Sequence, residues 1–288
     1  MEKKTAVVSK NANVEAKSSP AGSLFATIVI PLAIIACILI YMFVLGNPNN
    51  FEGGTTEGHA LPGNYLGIVY KGGFVVPILM SLVLMVFIFS IERVLTISKA
   101  TGTKSVPAFV RTISAKLNQR DITGAMAACD AQKGSVANVV KAGLIKYREM
   151  QNEPELLKAE KIAAIQKEIE ESTALELPML EKNLVVISTI ASISTLTGLI
   201  GTVLGMIKAF AALATSGNPD ATQLSNGISE ALINTAIGIT GSALAIIAYN
   251  YFTSKIDELT YSIDEAGFSI ISTFAAQHDA APVSKQTV

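Results

Sequence analysis

The sequence has no tryptophan, only two histidines and two cysteines, and just 16% charged side chains over 288 residues. Each shortage excludes something. Soluble domains carry about 25% charged residues, so a water-facing globule is a poor fit. A net charge of −1 supplies no positive field for a nucleic-acid partner. His59, His278, Cys37 and Cys129 are isolated from one another, so no metal-ligand spacing exists and neither metal nor cofactor is expected. Cys37 lies in an apolar run and Cys129 in a charged one, on different sides of a lipid boundary, which argues against a disulfide. There is no Ser-His-Asp set and no glycosidase-like acid pair. No Gly-Lys-Ser/Thr closes the glycine series at Gly198–Gly205 into a phosphate loop. The chain is not expected to be an enzyme.

What the sequence has in quantity is apolar length: half of its residues are hydrophobic, and the mean hydropathy is +0.46. A bilayer core takes about 20 apolar residues of helix, and four runs qualify: 24–45, 73–91, 184–214 and 227–252. The expected fold is an all-α integral membrane protein with four transmembrane helices and a helical cytoplasmic domain. The first run is longer than a signal-peptide core and lacks a clean small-x-small cleavage site, so it reads as an uncleaved anchor, with Pro31 as a bend point. Lysine and arginine set the direction. Four lysines precede the first run, fourteen basic residues lie between Glu92 and Asn183, and none lies in 215–226. These counts predict a cytoplasmic tail (1–23), a periplasmic loop (46–72), a cytoplasmic block (92–183), a short periplasmic loop (215–226) and a cytoplasmic helix and tail (253–288). Both termini are then cytoplasmic, and the two short loops lie on the other side of the membrane.

The cytoplasmic block reads as helical. Asp121 is placed to cap a helix that stops near Gly134, and Val136, Val139, Val140, Leu144 and Ile145 share one helix face. The charged run from Glu153 to Asn183 suits a solvated helix that continues into the third span, with Pro178 as the expected kink.

The last two spans are unusually polar. In the third, Ser188, Ser192, Thr195 and Thr202 fall on one stripe, while Gly198, Gly201 and Gly205 fall on another. Small residues allow close helix packing in lipid, so the glycines are expected at helix contacts. The hydroxyls either bond their own preceding turn or face a polar lumen. The fourth span carries Glu230 and Asn234 one turn apart, with Gly238 and Gly241 further along that side, and Thr235 seven residues before Ser242. An intramembrane carboxylate is a functional candidate by default. The competing placement for Glu230 is the membrane interface, a few residues from the loop.

At these residues the sequence resembles the ExbB/TolQ/MotA family of bacterial ion-driven motor proteins, and is most similar to its ExbB branch. The resemblance covers about 73–252. It is carried by "IERVLTI" (91–97), "LTGLIGTVLGMIKAF" (196–210), "GISEALINTAIGITGSALAIIAYN" (227–250) and, in the cytoplasmic block, "DITGAMAACDAQKGSVANVVKAGL". It departs where the family commonly has a proline and this chain has Thr195, and at Ser242–Ala245, where the family commonly has Ala-Ile-Pro-Ala. The span at 24–45 is additional to the usual three-span ExbB plan.

The resemblance implies a homopentameric ring around two copies of a single-span partner similar to ExbD, whose membrane aspartate carries protons. A TonB-like protein would receive the energy. By the same resemblance Thr202 and Thr235 face the partner aspartate, and Glu230 is the pore-lining acid. None of the four runs contains an aspartate, which fits a proton carrier supplied by a partner. Related alternatives are TolQ-like service or a gliding or flagellar stator. From other classes, a stand-alone small-solute transporter would show inverted repeats, and a passive scaffold would need neither Glu230 nor the hydroxyl stripe.

Overall fold

The computed structural model describes residues 21–56, 58–214 and 220–279. The lysine-bearing segment 1–20, residues 215–219 of the short loop and the tail from 280 lie outside the described residues. The described residues hold nine α-helices and no strand, the nearest to one being a single antiparallel bridge between Phe51 and Ala60. The helices are α1 (Ala21–Ile40), α2 (Tyr65–Tyr70), α3 (Val76–Thr101), α4 (Val106–Asn118), α5 (Ile122–Gln132), α6 (Gly134–Gln151), α7 (Lys158–Glu181), α8 (Leu184–Ala214) and α9 (Ala221–Asp279). Four stretches, one in each predicted region, are long and apolar enough to cross a membrane. The chain is an all-helical, multi-pass membrane protein.

The additional span, α1, lies against α3. Its small residues Ala33 and Cys37 are buried, and Phe25 meets the edge of Phe89 at 5.9 Å between ring centres. Its opposite face, with Ile28, Leu32, Ile35, Leu39 and Phe43, is exposed and suits lipid. A π-helical turn, Tyr41–Leu45, ends α1, and a compact loop follows. In that loop Asn50 donates to Val44 and Leu45 carbonyls, each at 2.9 Å, and accepts from Asn64 at 3.0 Å. These bonds satisfy the orphan carbonyls of the helix end.

The polar block forms by ordinary amphipathic packing. Asp121 caps α5 by accepting from the Gly124 amide at 2.8 Å, and Lys116 together with that amide holds its carboxyl below the usual range. Gly134, at φ +85°, separates α5 from α6, and its missing side chain leaves room for the Ala100 backbone. Val136, Val139, Val140 and Leu144 are buried, while Ile145 is half-buried at the edge of that face.

Two helix boundaries differ from expectation. The helix of the fourth span runs on without a break into the one expected after residue 252: α9 is a single helix of 59 residues, started by Asp220, whose carboxylate accepts from the Thr222 and Gln223 amides at 3.0 Å. Phe252, Ile256, Leu259, Ile263, Ile270 and Phe274 bury one face of it against the polar block, so apolar burial passes from lipid side to block side without interruption. The second difference concerns Pro178, which remains inside α7; the interruption before α8 comes at Lys182–Asn183. Arg93, 2% exposed, explains it. Its guanidinium donates to the Leu180 carbonyl at 2.8 Å, taking the acceptor that Leu184 would use in a continuous helix. Glu92 neutralises Arg93, its two oxygens accepting at 2.6 and 2.7 Å, and also accepts from Asn183 at 3.0 Å.

Candidate functional site between the two polar helices

Helices α8 and α9 run antiparallel, and glycines set their separation. A Cβ on Gly198 would stand 3.1 Å from Gly238 Cα, one on Gly201 2.5 Å from Asn234 Cβ, and one on Gly205 2.6 Å from the Ala231 amide nitrogen. Gly238 returns the contact against Gly198, and Gly241 leaves room for the Ser194 hydroxyl. The glycines are thus used within one chain, α8 against α9, and at that separation side chains can bond to the opposite backbone. Ser194, fully buried, donates to the Gly238 carbonyl at 3.0 Å.

Beside the glycine seam the polar stripes meet in register. Thr202 lies against Thr235, hydroxyl to hydroxyl. Seven residues along each helix in opposite directions, Thr195 and Ser242 line one groove, and a further seven bring in Ser188 and Tyr249. That groove, about 550 Å³, also takes in Ser192. The structure therefore brings together five of the six sequence-predicted polar residues: Thr202 with Thr235, and Ser188, Ser192 and Thr195 with Ser242 and Tyr249. Of the two hydroxyl options, bonding to the preceding turn is the one observed here: Thr202 donates to the Gly198 carbonyl and Thr235 to the Ala231 carbonyl, each at 3.1 Å, and the two side chains also touch.

Glu230 is placed apart from the ladder. It is 6% exposed and faces the turn before α3. Lys208 of α8 donates to both of its oxygens, at 2.6 and 2.8 Å, while its own side chain stays half-exposed on an open groove with Gln223 and Asn226. One turn along, Asn234 is fully buried and donates to the Gly72 carbonyl at 2.8 Å. Lys208 is the residue that reading the sequence missed. Its signal was available: it is the one base in 184–214, as Glu230 is the one acid in 227–252, and an intramembrane charge calls for a partner. Tyr249 was missed because a tyrosine near a span end has an ordinary explanation.

The arrangement is a touching hydroxyl pair, Thr202 and Thr235, on two closely packed helices, with a hydroxyl-lined groove toward one end and the Lys208–Glu230 ion pair toward the other. Hydroxyls donate and accept, so such a line can hand hydrogen bonds to a protonatable group that enters it. Among the described residues no group of His, Cys, Asp and Glu is disposed to hold a metal ion.

The sequence of this region has relatives. The family model described as the MotA/TolQ/ExbB proton channel family matches residues 132–265, which contain the whole ladder. The Tol-Pal system protein TolQ of Pseudomonas aeruginosa is 31% identical over 124 residues, 43% of this chain and 54% of that protein. The biopolymer transport protein ExbB of Salmonella typhimurium is 31% identical over 85 residues, 30% of this chain and 35% of that protein. A putative ExbB homolog of Methanothermobacter thermautotrophicus is 24% identical over 197 residues, 68% of this chain and 65% of that protein. The chain thus spans about half the length of that TolQ and about a third of that ExbB.

Proposed function

We propose that this chain, whose residues 132–265 match the model of the MotA/TolQ/ExbB proton channel family, is an ExbB-like subunit of a motor driven by the proton-motive force. It works in the bacterial inner membrane with both termini in the cytoplasm. Five copies surround two copies of an ExbD-like single-span partner, and the complex energises a TonB-like protein for outer-membrane transport.

The observation that carries this reading is the in-register series Thr202–Thr235, Thr195–Ser242 and Ser188–Tyr249 on two helices whose apolar runs, 184–214 and 227–252, contain no aspartate. A hydroxyl line with no proton carrier of its own needs one from outside. A partner aspartate entering at Thr202–Thr235 accepts hydrogen bonds from the hydroxyls when ionised and donates to them when protonated. Each charge crossing about 100 mV releases about 2.3 kcal/mol, so a few protons suffice to move packed helices. Glu230 and Lys208 neutralise each other at the outer end, keeping a fixed charge beside the path without leaving it unpaired.

A TolQ-like role is the second reading, supported by the relatives of that name that match at similar identity. The deciding experiment for the motor class is gentle purification from membranes followed by native mass measurement. A pentamer-sized ring with a small single-span companion is expected, and a lone monomer or dimer would sink the motor. Loss of energised uptake, as against loss of envelope constriction, on deleting the chain separates the ExbB-like from the TolQ-like role.

A further inference from the structure

The loop between the first two spans reaches the buried acid through one residue. Gly73 has φ +77°, and a Cβ added there would be 2.9 Å from Glu230 Cδ and in hard contact with Oε1. The carboxylate occupies the space of a missing side chain. Gly63 in the same loop has φ +81° with nothing near its absent Cβ. A left-handed backbone is common to both, so contact with the acid is what sets Gly73 apart. Gly72 is held too, its carbonyl accepting from Asn234.

Behind this turn the loop is tied to the end of α1. Tyr41 donates to the Tyr70 carbonyl at 3.1 Å and stacks on the Tyr70 ring at 4.7 Å, and Asn50 closes the other side through Val44, Leu45 and Asn64. A carboxylate that is almost wholly buried, holding an ammonium that is half-exposed, must be located from its buried side. Gly73 is what lies on that side.

We propose that α1 and the loop 46–72 form a bracket, with Gly73 as a positioning residue, that holds the Glu230 carboxylate in its ion pair with Lys208. The span that is extra to the three-span plan thereby acquires a task. The proposal rests on reading α8 and α9 as the working helices of the motor, yet the pairing itself needs neither partner nor potential.

The test is the rate at which a water-soluble N-hydroxysuccinimide ester acylates Lys208 in the full chain in detergent, followed by peptide mass spectrometry. A paired nitrogen must leave its carboxylate before it can attack, so Gly73→Ala is expected to raise the rate about threefold or more. Gly63→Ala carries the same backbone penalty without the contact, and should leave the rate unchanged. Adding Glu230→Asp to Gly73→Ala withdraws the carboxylate by one methylene and should return the rate toward that of the unmodified chain. If Gly73→Ala fails to fold, Tyr41→Phe removes only the hydroxyl on the Tyr70 carbonyl and should raise the rate by a smaller factor. The bracket is overturned by an unchanged rate in Gly73→Ala or an equal rise in Gly63→Ala. It is overturned as well by an unchanged rate in Tyr41→Phe where Gly73→Ala cannot be purified. Because acylation requires no partner, failure of the motor reading would leave this result standing.

Discussion

Helix α9 packs in two ways along its length. In its first half it meets α8 through Gly238, Gly241 and Ala231, and Ser194 bonds across to its backbone. In its second half it meets α4, α6 and α7 through Phe252, Ile256, Leu259, Ile263, Ile270 and Phe274. The difference follows from the solvent. Lipid tails give leucine no reason to prefer another leucine, so association there depends on close backbone approach and hydrogen bonds. Water supplies the drive in the second half, and large side chains exploit it. Tyr147 marks the second regime: fully buried, edge-on to Phe274 at 4.9 Å, with its hydroxyl donating to Gln277 at 2.9 Å.

The contrast is broken most severely by Gly201→Leu. Its side chain has to displace the buried Asn234 side chain of the same chain, and overpacking of that kind costs about 3 kcal/mol or more. No folded α8–α9 pair should be recovered, as read by loss of the monodisperse peak in size exclusion. Phe274→Ala attacks the other half and should cost about 3–5 kcal/mol, seen as a lowered thermal midpoint while the membrane-embedded helices remain protease-resistant; a parallel loss of both would refute independent packing regimes. Thr235→Val keeps the volume and removes the hydroxyl. Assembly should survive while energised uptake falls about tenfold, equivalent to ~1.4 kcal/mol, and full uptake would count against the ladder. Ser194→Ala is the mildest change within the seam: an interhelical hydrogen bond in a membrane protein averages about 0.6 kcal/mol, so a thermal shift of more than a few degrees would mean the bond is worth more than its geometry suggests.

The smallest effect belongs to Cys129. Burial beside Asp130 pushes its thiol from an ordinary value of 9.0 up to about 12. The folded chain therefore keeps a proton that the unfolded chain releases, so stability is unaffected below pH 9 and declines as pH rises from about 9 toward 12. Iodoacetamide at pH 8 should modify Cys129 only after denaturation.

Much of this arrangement is legible in residue order because it depends on local period. The spans, the glycine face, the hydroxyl stripe and the Asp121 cap each follow from spacing within one helix. What is not legible depends on the register between helices. Thr202 and Thr235 are identifiable singly, but the pairing that also aligns Thr195 with Ser242 and Ser188 with Tyr249 requires knowing how far α8 slides on α9. The Lys208–Glu230 pair differs: its members lie on different helices, yet each is the one charge in its apolar run, so the pairing is legible without the register. The break at Lys182–Asn183 is not legible because Arg93, which takes the Leu180 carbonyl, lies on a helix almost ninety residues earlier. The docking of α1 on α3 has no local signal, since a lipid-facing helix and a packed one share the same composition.

The unbroken course of α9 carries a mechanical consequence. At 1.5 Å per residue its 59 residues make a rod about 88 Å long. No break or proline interrupts it between Glu230 at one end and Phe274 at the other. A rod of that length magnifies angle into distance: Phe274 lies about 58 Å beyond Thr235, so a tilt of about 5° at Thr235 moves Phe274 by about 5 Å. A small rearrangement at Thr235 is thus delivered to the far helices as a displacement of about one helical turn.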